Sequence, residues 1–431
     1  MLLIENIIDT INHNSELRNT GITNAADTVD RARHRWYYYK EGFSPVLVEK
    51  AIENAEVEKD QIVLDIFNGS GTTTLTAASQ GYKAVGIEVN PFTCFLSETK
   101  TKNVNLSELS RWQQLLAGSA EKAVTSPLIG FSTFSKNDHL DKWLFNEDVL
   151  NAFEGAWKKT EEISSHNTRR LLRLALISSA MQNCNATKDG KCLRYRITWQ
   201  DYGFDKNTFL QSFEEKLKEI KEDIEKSPIK TKATIINGDS RIKLNSRKDS
   251  FKFKLCITSP PYLNTFDYTD IYRPELFLGK FVQNNRELYQ LRLKTVRSHI
   301  QAKWKAPTLS DFGLVYDQVI NHINENQDKL MDKNIPLMIQ AYFEDMFNIL
   351  RLLKAKADKN AQIWLVVSNS AYANTEIPVD FIIGEIGTRA GWFLKDIAVL
   401  EHIKRRKTKH SPDIKQLRES VIILTNNSKL A

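Results

Sequence analysis

The segment Gln61–Glu88 restricts the fold of this chain more than any other. It opens with Gln61-Ile62-Val63-Leu64-Asp65-Ile66-Phe67, a short apolar run of the kind that forms a buried strand. Asn68-Gly69-Ser70-Gly71-Thr72-Thr73-Thr74 follows, and its glycines let the backbone turn sharply and approach a ligand closely. Leu75–Gln80 reads as a helix closed by Gly81, and Ala84–Glu88 as a second strand. Strand, helix and strand in this order call for a parallel, doubly wound α/β sheet. In such sheets ligands sit beyond the carboxyl ends of the strands, facing the free N–H groups of the following helix. Asp65, Phe67, Asn68, Gly69, Ser70, Gly71, Thr72 and Thr73 are therefore candidate ligand contacts. Glu88 ends the second strand, where a carboxylate can take both hydroxyls of a ribose, and Asn90 lies just beyond it. Two glycines alone would be an ordinary turn; the carboxylates and threonines in register with them mark a site. No GxxxxGK[ST] occurs, which disfavours a nucleotide-phosphate loop.

Two further strand ends carry polar groups. Ala233–Ile236 leads into Asn237-Gly238-Asp239-Ser240-Arg241. Asp239 can accept from an exocyclic amino group such as that of adenine, with Ser240 beside it; the bland alternative is a turn aspartate. Phe253-Lys254-Leu255-Cys256-Ile257 leads into Thr258-Ser259-Pro260-Pro261-Tyr262. Two prolines cannot extend a strand, because neither donates to a ladder and both fix φ. The strand must stop there and present Ser259 and Tyr262 at its end. A hydroxyl, a free proline carbonyl and an aromatic face suit a flat ring that carries an amino group.

The 431 residues are 41% hydrophobic and 26% charged, enough for two or three domains or one domain with large insertions. No apolar run approaches the ~20 residues of a membrane span, and the start lacks the basic region and apolar core of a signal peptide. A cytoplasmic protein is expected. The four cysteines, Cys94, Cys184, Cys192 and Cys256, show no zinc spacing, so no metal is expected. Residues 1–30 suggest a helix and a loop, and Ser44-Pro45 caps and opens a helix from Val46. Helical periods dominate from about 99 to 232, over Leu106–Leu116, Asp141–Glu162, Thr168–Cys184 and Thr208–Glu225, with Asn183–Gly190 as a loop. A second insertion runs from about 272 to 336. Then come a helix over Leu337–Leu353, a strand over Ala361–Val367, a helix over Val379–Ala390, and an antiparallel pair from Leu394–Leu400 and Val421–Leu424. The division expected is 1–98, 99–232, 233–271, 272–336 and 337–431.

These residues resemble the S-adenosylmethionine-dependent amino-methyltransferases that act on exocyclic nitrogens of DNA bases. Asp65–Thr73 looks like their cofactor motif, DPFxGSGTT, with Ile66 in place of the usual proline. Ser259-Pro260-Pro261-Tyr262 looks like their catalytic (S/D/N)PP(Y/F) motif. Phe43-Ser44-Pro45 looks like the segment that closes over the methionine end of the cofactor. The resemblance implies S-adenosylmethionine as cofactor, ribose and adenine contacts from Glu88 and Asp239, and catalysis by Ser259, Pro260, Pro261 and Tyr262. It implies a Rossmann-like, mostly parallel sheet of the class I methyltransferase type, carrying a helical insertion and a second, basic insertion. Serine at the head of the motif usually marks cytosine N4, whereas Asp or Asn usually marks adenine N6. The absence of a Pro-Cys pair agrees, since C5 methylation needs a cysteine nucleophile. The implied activity is site-specific methylation of the N4 amino group of a flipped cytosine in double-stranded DNA, with any restriction nuclease on a separate polypeptide.

The net charge of +7 is compatible with a polyanionic partner. Arg286 to Lys305 holds Arg292, Lys294, Arg297 and Lys303, a candidate phosphate-binding run or a solvated helix face. Lys404, Arg405 and Arg406 belong to a second run, and Arg31, Arg33 and Arg35 to a third beside Tyr37–Tyr39. Arg169, Arg170, Arg173, Arg194 and Arg196 cluster in the helical insertion. One or both insertions are expected to read the target sequence. The rival readings are an adenine-N6 enzyme, an RNA guanine-N2 enzyme, and an inactive DNA-binding subunit.

Overall fold

The computed structural model describes residues 17, 20, 22–122, 124–189, 192–246, 251–405 and 409–431. The helix and loop expected over residues 1–30 fall largely outside this set. The strands are β1 (Ile62–Asp65), β2 (Lys83–Glu88), β3 (Ala186–Asp189), β4 (Cys192–Tyr195), β5 (Ala233–Asn237) and β6 (Phe253–Thr258). Then follow β7 (Ala357–Ser368), β8 (Ser370–Tyr372), β9 (Thr375–Ile377), β10 (Phe393–Lys404) and β11 (Gln416–Thr425). Seven of them form one sheet in the order β10-β11-β7-β6-β1-β2-β5. β5, β2, β1, β6 and β7 run parallel, and β11 pairs antiparallel with both β7 and β10. The fold is therefore a mostly parallel, doubly wound α/β sheet. The chain leaves β1 toward β2 and β5 on one side and returns to β6 and β7 on the other. The switch point lies between β1 and β6, where open α/β sheets bind ligands.

Period-two alternation sends side chains to two cores. Val63, Leu255, Ile257, Trp364, Val366, Val421 and Ile423 pack on one face with the helix Pro45–Asn54. Leu64, Cys256, Ile363, Leu365, Ile422 and Leu424 pack on the other with the helices Ile335–Lys356 and Val379–Arg389. Burial on both faces explains why these strands read as continuous apolar runs. A third core is helical and joins Phe92, Phe95 and Leu96 to the helices Leu106–Ala120, Glu147–Lys159, His166–Gln182 and Lys206–Lys226. Ile271, Tyr272, Leu276 and Leu288, beyond the Ser-Pro-Pro-Tyr motif, complete the same core. Among the described residues no helix is long and apolar enough to cross a membrane.

Local expectations differ from the structure in two places. The helix expected from Asp141 starts at Glu147, because the Leu144 and Phe145 N–H groups are taken by the Thr133 and Phe134 carbonyls. Asn183–Gly190, expected as a loop, contains β3, which pairs with β4 as a hairpin (Gly190 itself lies outside the described residues). Ser44 caps its helix as expected, its Oγ accepting from Val46 N over 3.1 Å, and Pro45 takes the first helical position.

Candidate active site

Asp65 ends β1 and is 2% exposed. Its Oδ1 accepts hydrogen bonds from Phe67 N (3.0 Å) and from Thr258 Oγ1 (2.6 Å). Burial pushes its carboxyl up to about 6 even against the Thr258, Thr73 and Phe67 donors. The chain then turns through Gly69 and Gly71, both left-handed. A Cβ at Gly71 would stand 2.6 Å from Ser97 Cβ, so only glycine fits beneath the neighbouring helix. Gly69 N donates to Glu88 Oε2 (2.7 Å), and Asn90 N donates to Glu88 Oε1 (2.8 Å). The turn after β1 is thus held by the carboxylate that ends β2, and burial raises the pKa of Glu88 as well. Asn68 rests on Gly86, where a Cβ would come within 2.5 Å of its amide carbon. Asn68 Oδ1 accepts from Thr74 Oγ1 (3.0 Å), while its buried Nδ2 has no partner among the described residues.

The catalytic-motif candidate begins where β6 ends, beside β1. Ser259 Oγ donates to the Val366 carbonyl of β7 over 3.1 Å, which commits the hydroxyl proton and leaves the oxygen as an acceptor. Tyr262 OH donates to Glu419 Oε1 on β11 over 2.6 Å, fixing the phenol ring. Burial raises the pKa of Glu419, an effect that the Tyr262 donor opposes.

A cleft of about 440 Å³ joins the two halves. Phe43, Asp65, Phe67, Asn68, Gly69, Ser70, Thr72, Glu88, Asn90, Asp239, Ser240 and Ser259 to Tyr262 line it. Ser44, Pro45, Gly71 and Thr73 do not. The first two form the start of a helix, Gly71 shapes the turn, and Thr73 Oγ1 donates to Ile257 O (3.4 Å). Asp239 lies in the lining, but its carboxylate caps Arg241 N (2.9 Å) and is gripped by the Arg241 guanidinium. Two buried carboxylates, the Asn68 amide and aromatic walls suit a cationic nucleoside bearing hydroxyls, such as an adenosyl sulfonium. Among the described residues no cluster of His, Cys, Asp or Glu could hold a metal ion.

The basic candidates separate sharply. Lys294 is exposed on the cleft wall, and Lys303 and Lys404 are exposed elsewhere. Arg297, expected to bind phosphate, is 7% exposed and bonded to Glu344 (2.6 Å) and Asp345 (2.8 Å). Arg292 is paired with Asp267 at 2.5 Å, and Arg405 donates to the carbonyls of Ser411 and Ala371. Arg406 lies outside the described residues. Arg33 is 1% exposed, its guanidinium capping the carbonyls of Lys100, Lys102 and Ser227, and Arg35 pairs with Asp223. Arg170 and Arg173 pair with Glu98 and Glu161. These arginines hold the fold together, because each has a carboxylate or a carbonyl set within reach.

Several lining residues were not singled out from sequence. Tyr39 stacks on Tyr272 (5.1 Å) and lies against Gly69. Glu41, Phe266, Tyr268, Ser298, His299 and Glu419 also line the cleft. The Tyr37–Tyr39 triplet and the aromatic run after Tyr262 were the available signals; Glu419, 157 residues from Tyr262, gave none.

Residues 8–99 match the DNA methylase family. The type II methyltransferase M.BsoBI of Geobacillus stearothermophilus is 29% identical over 90% of this chain and 85% of its own length. The type II methyltransferase M.AvaI of Anabaena variabilis is 25% identical over 86% and 81%. Among solved structures, TrmN from Thermus thermophilus matches at 10% identity and a TM-score of 0.30, covering 89% of this chain and 49% of that one. The fold assignment rests on the strand order described above.

Proposed function

We propose that this protein is an S-adenosylmethionine-dependent DNA methyltransferase that modifies the N4 amino group of a cytosine turned out of the duplex. The observation that carries the reading is the single cleft shared by the glycine turn, Glu88 and the Ser-Pro-Pro-Tyr motif at the switch point of the sheet. The similarity to DNA methylases and type II methyltransferases supports the coarser part, methyl transfer to a DNA amino group. Serine at position 259 supports cytosine over adenine.

Asp65, Phe67, Asn68, Gly69, Ser70, Glu88 and Asn90 would hold the cofactor, with Phe43 beside them and the adenine ring toward Asp239 and Ser240. S-adenosylmethionine supplies, when bound, a methyl group on an electrophilic sulfonium. The amine of cytosine is a poor nucleophile because its lone pair is delocalised into the ring. Ser259 Oγ, its proton committed to Val366 O, accepts from that amine. The Pro260 carbonyl is the second acceptor, and together they draw the nitrogen toward tetrahedral geometry. Serine is too weak a base to remove the proton first, so the proton leaves after transfer. The proline pair keeps the acceptors rigid, which is a positioning effect. Tyr262, anchored by Glu419, stacks on the extruded base and offsets part of the few kcal/mol that unstacking costs. Double-stranded DNA is the proposed partner, and any nuclease acts from another chain.

Expression in a bacterium free of DNA methylation, followed by nucleoside mass spectrometry and methylation-sensitive sequencing, tests this. N4-methylcytosine at one recognition sequence is expected. N6-methyladenine would move the target atom, and unmodified DNA with methylated RNA would overturn the reading.

A further inference from the structure

Ser298 lines the same cleft, is 1% exposed, and its hydroxyl finds no hydrogen-bond partner among the described residues. A buried hydroxyl without a partner is costly, and folded proteins rarely keep one without a use for it. The backbone around it cannot drift to relieve the cost. Ser298 N donates to Val296 O (2.8 Å), and Ser298 O accepts from Thr265 N (3.1 Å), in the loop that follows the catalytic motif. On one side Arg297 is held by Glu344 and Asp345; on the other the His299 carbonyl accepts from Trp304 Nε1 (3.0 Å). Nearby Thr295 has already given its own hydroxyl proton to Arg292 O (2.9 Å). Ser298 is therefore a fixed donor with an uncommitted proton.

The two serines of the cleft are opposite in kind. Ser259 has spent its proton on Val366 and offers lone pairs, whereas Ser298 has a proton to give. The edge of cytosine or adenine is complementary to such a pair, presenting an amino N–H beside a ring nitrogen that accepts. Thymine and guanine present the reverse, a carbonyl beside a ring N–H. A flipped base is read on this edge.

We infer that Ser298 is a specificity-determining contact that donates to the ring nitrogen adjacent to the target amine, while Ser259 accepts from the amine itself. The inference rests on the amino-methyltransferase reading above and holds for either amino base.

The test compares wild type, Ser298→Ala and Ser298→Thr on a duplex containing the recognition sequence found in the host experiment. The target base is either natural or its deaza analogue, 3-deazacytosine for cytosine or 1-deazaadenine for adenine, which keeps the amine but replaces the accepting nitrogen with C–H. The analogue changes amine reactivity equally for every variant, so single-turnover rate ratios isolate the contact. The analogue should slow wild type and Ser298→Thr about tenfold more than it slows Ser298→Ala. Equal slowing in all three would overturn the inference and leave the hydroxyl structural, with the methyltransferase reading intact. Should Ser298→Ala fail to fold, Ser298→Cys, a weak donor of similar size, takes its place with the same expectation. Absence of methyl transfer by wild type to any DNA would remove the enzyme reading and this inference together.

Discussion

Thr258 Oγ1 donates to the Asp65 carboxylate over 2.6 Å, locking the last residue of β6 beside the last residue of β1. The two residues are 193 positions apart, yet they tie the glycine turn to the strand that presents Ser259. Phe67 N also reaches Thr258 Oγ1 (3.1 Å), so the start of the glycine turn shares the clasp. The halves of the proposed site are therefore held in one register.

This clasp gives Asp65 a testable pH signature. Its carboxyl titrates at about 6 in the folded protein, chiefly because it is buried, against 3.8 ordinarily. The native state therefore holds a proton that the unfolded chain releases between about pH 4 and 6, and Asp65 weakens the fold as the pH rises through that window. Asp65→Asn removes the ionisation. Without cofactor it should be more stable than wild type at pH 7 by roughly 1–3 kcal/mol, with the advantage gone near pH 4. Denaturant unfolding at several pH values checks this, and calorimetry should show weakened cofactor binding. A constant stability difference across the range would contradict the burial argument.

Ser259→Ala should lower single-turnover methyl transfer by roughly a hundredfold or more, since it removes an acceptor at the reacting amine. Cofactor affinity by calorimetry should be nearly unchanged, because Asp65 and Glu88 remain. A variant that methylates at the wild-type rate would rule out the proposed role.

Tyr262→Phe keeps the stacking ring and removes the donor to Glu419. A buried carboxylate deprived of its donor should cost about 1–3 kcal/mol of stability at pH 7. Glu419 already titrates above its ordinary range through burial, so the loss should shrink as acid protonates it. Tyr262→Ala also loses the stacking face, worth ~1–3 kcal/mol per base, and should depress transfer far more than Tyr262→Phe. Equal rates for the two variants would argue against stacking.

Removing or reversing the charge should separate the basic residues by burial. Arg297→Ala takes the buried cation from Glu344 and leaves Asp345 with Arg241 alone, and should cost about 3–5 kcal/mol of stability. Against the opposing effect of burial, Arg297 and the Thr308 and Leu309 N–H groups hold Glu344 at a pKa of about 2. Lys294→Glu and Lys303→Glu should leave thermal unfolding unchanged. Each should weaken DNA binding and reduce its salt slope by about one or more. Salt-dependent binding titrations that showed the reverse pattern would place the DNA elsewhere.

The sequence alone determined the parts whose physics is local. Strand–turn–helix–strand over Gln61–Glu88 is written in apolar runs and in glycines at left-handed positions. The stop after β6 follows from two prolines that cannot pair. Each of these depends on neighbours a few positions away, so the residue types suffice. What the tertiary structure decided is which of these local pieces share a wall and which charges are spent. Arg297 and Lys303 look alike in a basic run; only packing against the helix Ile335–Lys356 gives Arg297 its two carboxylates and leaves Lys303 in solvent. Glu419 and Ser298 are unremarked residues in the chain until β11 and the 293–299 segment close on the Ser-Pro-Pro-Tyr motif. Burial and hydrogen-bond satisfaction are properties of the packed molecule, so they emerge only when distant segments meet.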